Sequence, residues 1–237
     1  MKNIWKIITF TIIIGIGFFS CKDKENQLIT IPYEENITQE EIKIIENNNV
    51  TWVPGFTSNG INYPIFINKE NAAIINQIIE DEVAKLNNSY EITPESEIAF
   101  TITYEDDNYI SILGLGYIAN EGYAYAATIY WPVMIDIKNG KKLVLNDIVN
   151  IDEKFMVLFI QVLEYYFNEI EINLYEIYSK EEIKGKVLRA DIENYSDVRS
   201  YFTKEKICIA FSIPRVLGEF IDVELLFNDV TKKINIK

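Results

Sequence analysis

Between residues 98 and 145 the chain alternates short apolar runs with turn signals, and that rhythm leaves few folds open to it. Ile98 to Tyr104 alternates apolar and polar side chains, which predicts a strand with Ile98, Phe100, Ile102 and Tyr104 on one side. Glu105-Asp106-Asp107-Asn108 makes a turn. Tyr109 to Ile118 reads as the partner strand, and Asn120-Glu121-Gly122 turns the chain again. Tyr123 to Asp136 is a long β run interrupted at Pro132. Lys138-Asn139-Gly140-Lys141 is a tight turn, with Asn139-Gly140 suited to type I′, and Lys142 to Leu145 is a short strand. Strands paired to their neighbours in this way make an antiparallel meander.

Upstream, Val50-Thr51-Trp52-Val53 is β-rich, and Ser58-Asn59-Gly60 turns it into Ile61 to Phe66. A helix is predicted over Lys69 to Leu86, capped by Asn68. Ile75, Ile78, Ile79, Val83 and Leu86 recur on one face of it. A second helix starts at Asn150 or Asp152 and reaches as far as Tyr178, with Phe155, Leu158, Phe159, Val162, Tyr166 and Ile170 as its buried stripe. Ser179 to Asn194 is charged and reads as a further helix or as irregular surface. Ser200 to Ile213 and Phe220 to Phe227 read as closing strands. The expected class is α+β, an antiparallel meander sheet with two or more helices on one face.

The N-terminus sets a different kind of bound. In MKNIWKIITFTIIIGIGFFSC, Lys2 and Lys6 supply a positive region, Ile7 to Phe19 an uncharged and mostly apolar run, and Ser20 a small residue before Cys21. That layout is an export signal. The apolar run is shorter than the ~20 residues a membrane-spanning helix needs. A cysteine at the cleavage point resembles a bacterial lipobox, although Phe18 stands where Leu is usual and Phe19 where a small residue is usual. The resemblance implies lipidation of Cys21, with diacylglycerol on its sulfur and a palmitate-like chain on its new amino group. Two or more chains anchor stably. The expected division is a lipoprotein signal peptide over 1–20, a lipidated tether over 21–36, and one α+β domain over 37–237. That domain reads as one unit or as two intimately packed parts, about 37–105 and 106–237. With Lys22 after the anchor and no Asp there, the expected location is the outer membrane if the cell has one, otherwise the outer face of the cytoplasmic membrane.

Composition excludes several chemistries. The chain holds no histidine, so a Ser-His-Asp or Cys-His site, a His-ligated zinc and a histidine pH switch cannot be built. It holds two cysteines; with Cys21 lipidated, Cys208 has no intrachain partner and reads as a small core hydrophobe. Net charge is −14, a surface that repels nucleic acid and attracts cationic partners. Hydrophobic residues make up 49% of the chain, enough for a real core without covalent staples.

Several segments resemble, in order, the extracellular domain family of the lysozyme-sensing anti-sigma factor RsiV and of PdaC-type polysaccharide deacetylases. They begin with Asn62-Tyr63-Pro64-Ile65-Phe66 and Ile74-Ile75-Asn76. Tyr104 to Asp107 follows, then Tyr109-Ile110-Ser111-Ile112. Met134 to Ile148 resembles that family's "D-x-x-T/N-G-K-x-L-x-L-x-D-I/L-F" stretch. Tyr201-Phe202-Thr203 through Ile213-Pro214, Gly218 and Val223-Glu224 close the series. The resemblance implies an exported domain of unknown function, with a lysozyme-like cationic protein or peptidoglycan as partner. Two departures stand out. Many relatives carry Gly-Gly-Ala-His where this chain has Glu121 to Ala127 without histidine. Neither a cytoplasmic sigma-binding segment nor a deacetylase domain is expected.

The acidic groups Asp106-Asp107, Glu80-Asp81-Glu82, Glu181-Glu182 and Asp191 with Glu193 read as solvated surface; a glycosidase would need two of them in one cleft. Tyr117, Tyr123, Tyr125, Tyr130 and Trp131, in and around the central hairpin, are the candidate ligand-binding residues, because aromatic faces bind sugar rings and anchor interfaces. The expected function is a non-catalytic binding module without catalytic residues, metal or cofactor. The alternatives are an envelope enzyme acting on glycan through carboxylates and a structural envelope lipoprotein.

Overall fold

A computed structural model describes residues 51–57, 61–90, 92, 96–118, 126–192 and 197–236. Contacts divide the chain after Tyr33, and every described residue falls in the second unit, Glu34–Lys237. The export signal, Cys21 and the tether lie outside the described residues, as do Tyr123 and Tyr125.

Strands β1 (Trp52–Phe56) and β2 (Asn62–Phe66) form the expected antiparallel hairpin, with Pro54 opposite Pro64. Helix α1 (Ala72–Ser89) then carries the chain to β3 (Glu97–Glu105), which runs parallel to β2. β4 (Tyr109–Ile118), β5 (Ala127–Asp136) and β6 (Lys141–Leu143) follow as the antiparallel meander, giving a six-stranded sheet in chain order. Helix α1 begins three residues later than its sequence suggests. Its flanking residues are spent on tertiary bonds: Asn71, at φ 59°, donates its side-chain amide to the Ile137 carbonyl at 3.0 Å, and Lys69 Nζ reaches Glu105 Oε1 at 2.7 Å. The apolar face holds, because Ile75, Ile79, Val83 and Leu86 are buried against Ile98, Phe100, Ile112 and Trp131. Each such side chain contributes roughly 1.5–3 kcal/mol relative to exposure.

Tyr104 departs from its predicted side. Pairing shifts between Ile102↔Ile112 and Tyr104↔Ser111, so Thr103 is an extra residue in β3, a β-bulge. One extra residue reverses the alternation. Ile98, Phe100 and Ile102 face α1, while Tyr104 turns to the opposite side and packs on Phe202, 5.3 Å between rings. Pro132 does not interrupt β5, because β6 reaches only as far as Met134 and a residue without N–H fits beyond it. The Asn139-Gly140 turn is not type I′, which needs positive φ at both residues: Gly140 has φ 59° and Asn139 does not. Asp136 closes it instead, accepting from Asn139 N at 2.9 Å and Nδ2 at 2.7 Å.

The helical stretch after β6 breaks into four. α2 (Leu145–Ile148) precedes α3 (Glu153–Glu169), which is capped by Asp152 accepting from Phe155 N at 2.9 Å. α3 stops short of Tyr178 because Glu171 turns into the left-handed region at φ 57°. α4 (Leu174–Ile177) starts afresh at Asn173, and α5 (Lys180–Leu188) opens on a Ser179/Glu182 capping box. Ser200 to Ile213 proves to be two strands. β7 (Val198–Phe202), β8 (Lys206–Ser212) and β9 (Phe220–Leu226) form a second, three-stranded antiparallel sheet.

The class is α+β as expected, with its strands divided between two sheets. α1 covers one face of the larger sheet. Phe155, Phe159, Leu163 and Phe167 of α3 build the other core with Phe211 and Val223 of the smaller sheet. β7 lies with its edge against β3, β4 and β5. Thr103 Oγ1 donates to the Phe202 carbonyl at 2.8 Å, and Phe202 N donates to Ser111 Oγ at 2.9 Å, so hydroxyls satisfy an otherwise unpaired strand edge. Cys208 is buried in β8, its thiol pushed up to about 11 by burial. Among the described residues no helix is long and apolar enough to cross a membrane.

Candidate functional site

A cleft of about 250 Å³ opens where α1, the β5–β6 side of the larger sheet and β7 come together. Its floor begins with Glu82. Ile75, Ile79, Glu82 and Leu86 recur at spacings of four, three and four, which puts this glutamate inside the apolar stripe of α1, where it is 2% exposed. Both of its oxygens have partners. Oε1 meets Lys85 Nζ at 2.6 Å, and Oε2 meets Lys142 Nζ at 2.7 Å and accepts from Trp131 Nε1 at 3.3 Å. Burial pushes the Glu82 carboxyl up, and the Lys142 and Lys85 ammoniums outweigh it, holding the group below the usual glutamate range.

Asp191 lines the opposite wall. It sits in the turn after α5 at φ 63°, a left-handed conformation that Asp tolerates. Ser200 N donates to Oδ1 at 2.8 Å. Ser200 Oγ, at 2.5 Å, and Leu145 N, at 3.1 Å, donate to Oδ2. This carboxylate therefore ties the start of α2 to β7. Burial pushes it up to about 6, against those hydrogen bonds and the charge of Lys142.

Arg199 of β7 closes the cleft from above. Its guanidinium carbon lies 4.0 Å from the Trp131 ring centroid, a cation–π stack, while Tyr90 meets the same ring edge-on at 6.3 Å. Burial lowers the Arg199 guanidinium from its ordinary value. Among the described residues the lining carries three cations and two carboxylates. A retaining or inverting glycosidase needs one carboxyl free to give a proton and another free to attack or to hold water. Here each oxygen of Glu82 and Asp191 is engaged by a protein donor. Among the described residues no set of Asp, Glu and Cys side chains converges to hold a metal ion.

The expected aromatic residues do not form one platform. Tyr130 and Trp131 are successive residues of β5 and point to opposite faces. Trp131 is buried against α1 and lines the cleft. The half-buried Tyr130 packs between the sheets, 5.0 Å from the Phe220 ring and 6.1 Å from Tyr201. Tyr117 is 58% exposed near the end of β4. Tyr123, Tyr125 and Cys21 lie outside the described residues. Glu82 and Asp191 each belong to an acidic group that reads as solvated surface, and the fold draws one from each into the cleft. For Glu82 the signal was its register in the helical stripe. Asp191 and Arg199 carried none, because their partners come from distant elements.

No family model and no curated protein matches the chain. Among solved structures it is similar to a DUF3298 family protein from Pseudomonas aeruginosa PAO1, at 11% identity over 76% of this chain and 93% of that one, with a TM-score of 0.44. It is also similar to a member of that family from Bacteroides fragilis NCTC 9343, at 12% identity over 75% of this chain and 88% of the other, with a TM-score of 0.39. The chain's structural neighbours are thus DUF3298 family proteins.

Proposed function

We propose that this chain is a cell-envelope lipoprotein, anchored by acylated Cys21, whose globular part is a non-catalytic binding module for cell-wall glycan. The observation that carries the binding reading is the state of Glu82 and Asp191. Their oxygens are spent on Lys85, Lys142, Trp131, Ser200 and Leu145, so the cleft offers no idle acid–base pair. The anchor rests on the sequence, which places a positive region, an apolar run and a small residue ahead of Cys21. Intact mass spectrometry should find a chain beginning at an acylated Cys21. An intact Met1 or an unmodified thiol at position 21 would refute the anchor. Purified peptidoglycan should co-sediment the lipidated protein from detergent solution; protein left wholly in the supernatant would refute the glycan reading.

A lysozyme-like cationic protein is a second partner, favoured by the net charge of −14. Its affinity should fall steeply with added salt, since the attraction is long-range and screened. Binding that ignores ionic strength would remove it from consideration.

A further inference from the structure

We infer that Asp191 is a proton-operated latch: taking up a proton there loosens the β6–α2 corner of the cleft from β7. The inference concerns how the cleft responds to acidity, and it stands whether or not the ligand is a glycan. Its first support is the arrangement of bonds. One carboxylate joins three parts of the chain: its own turn after α5, the start of α2, and β7. Oδ1 accepts from Ser200 N, and Oδ2 accepts from both Ser200 Oγ and Leu145 N. Asp191 lines the cleft together with Lys142 and Val144 of the β6–α2 corner and with Arg199 of β7. A change in its bonds therefore acts on two walls of the cleft.

The second support is the kind of donor. Glu82 is met by two ammoniums within 2.7 Å, whereas Asp191 is met by one alcohol and two backbone amides. Neutral donors favour the ionised form less than an ion pair does. Lys142 also favours the charge through space, but burial outweighs all of these and pushes the carboxyl up to about 6. Among the described residues, the titratable or charged groups around it are Lys142 from β6, Arg199 from β7, Tyr130 from β5, and Glu82 and Lys85 from α1 across the cleft. Glu82 is held below the usual carboxylate range, Tyr130 is pushed up, and the chain holds no histidine. Asp191 is therefore the carboxylate of the cleft that changes charge near pH 6.

The proton, taken from solvent, settles on Oδ2, because Ser200 Oγ at 2.5 Å can accept from it while Oδ1 faces only an N–H. The Ser200 hydroxyl then turns from donor to acceptor and points its own hydrogen toward Met134 Sδ, 4.0 Å away. Leu145 N is left facing the oxygen of a neutral acid. Hydrogen bonds to a charged acceptor are roughly twice as strong as neutral ones, so this tie weakens, while Ser200 N keeps Oδ1. Relief of the buried charge outweighs the weakened bond. The fold as a whole thus gains stability in acid while this one corner loosens.

The test is hydrogen exchange on the full chain purified in detergent, resolved to single amides by overlapping peptides and corrected for the intrinsic pH dependence of exchange. Protection of the Leu145 amide should fall about threefold to tenfold between about pH 7.5 and about pH 5, in one step centred near 6. The Lys233 amide, which donates to the Ile148 carbonyl at the other end of α2, should not fall with it. Asp191→Asn suits the same left-handed turn but cannot change charge, so its profile should be flat. Lys142→Gln removes a charge that favours the ionised carboxylate, so the midpoint should move to higher pH; a merely structural role would leave it in place. Thermal melts establish folding, and if Asp191→Asn unfolds, Lys142→Gln decides. A flat profile in the wild type overturns the inference, as does an equal loss at Lys233, a step that persists in folded Asp191→Asn, or an unmoved midpoint in Lys142→Gln.

Discussion

A carboxylate withdrawn from water is pulled one way by its partners and the other by burial, and in Glu82 and Asp191 that balance falls on opposite sides within one cleft. Glu82 is held ionised by two lysines and an indole N–H. Glu82→Ala should destabilise the fold by about 2 kcal/mol in urea titration, because it leaves the buried Trp131 N–H without its acceptor and opens a hole in the α1 stripe. At Asp191 burial outweighs three hydrogen-bond donors. Its folded value of about 6 lies above the ordinary ~3.9 of an unfolded chain, so the folded state holds the proton more tightly. That stabilisation is complete below the unfolded value and is lost as pH rises through about 6. The stability advantage of the wild type over Asp191→Asn should therefore shrink between about pH 4 and about pH 7; an advantage that grows over that range would reverse the assignment. Glu82, held below its usual range, has the opposite sign, and its contribution fades in acid. Both residues read as solvated surface in the sequence, and of the two only Glu82 carried a local signal against that reading. Its register among Ile75, Ile79 and Leu86 marks it as buried, whereas Asp191 is buried by Ser200 and Leu145, which no local pattern connects to it.

At the scale of elements, alternation and turn chemistry located the strands and α1, because both depend on residues close in sequence. They missed the Thr103 bulge, because what that bulge serves lies far away. Thr103 Oγ1 donates to a carbonyl 99 residues on, and the extra residue turns Tyr104 toward Phe202. Thr103→Val should cost about 1–2 kcal/mol, as the Phe202 carbonyl loses the Thr103 hydroxyl at the sheet edge. β3 and β4 also approach each other closely. A Cβ on Gly116 would lie 1.9 Å from the Glu97 carbonyl oxygen. Gly116→Ala should therefore cost about 2 kcal/mol in chemical denaturation and leave ligand affinity alone; a neutral result would mean the strands can part there. The long helix expected to run to Tyr178 fails for a related reason. Its apolar stripe was real, but the left-handed Glu171 and the caps at Asn173 and Ser179 restart the chain twice.

At the scale of the whole molecule, the helices between β6 and β7 bring the second sheet edge-on to the meander, and the cleft forms at that junction. The cleft needs both sheets. Trp131 and Lys142 come from one and Arg199 from the other, which is why sequence patterns taken one element at a time pointed to a strip of aromatics. Cys21→Ser should move the protein from the membrane fraction to the soluble one, since an acyl anchor at that position is the expected tether. The most direct measurement incubates the full chain, purified in detergent, with peptidoglycan and follows two quantities together, protein retained on the polymer and fragments released from it. Retention with no rise in reducing ends or soluble fragments is the expected result. Steady release of fragments, abolished by Glu82→Gln or Asp191→Asn, would contradict a non-catalytic cleft.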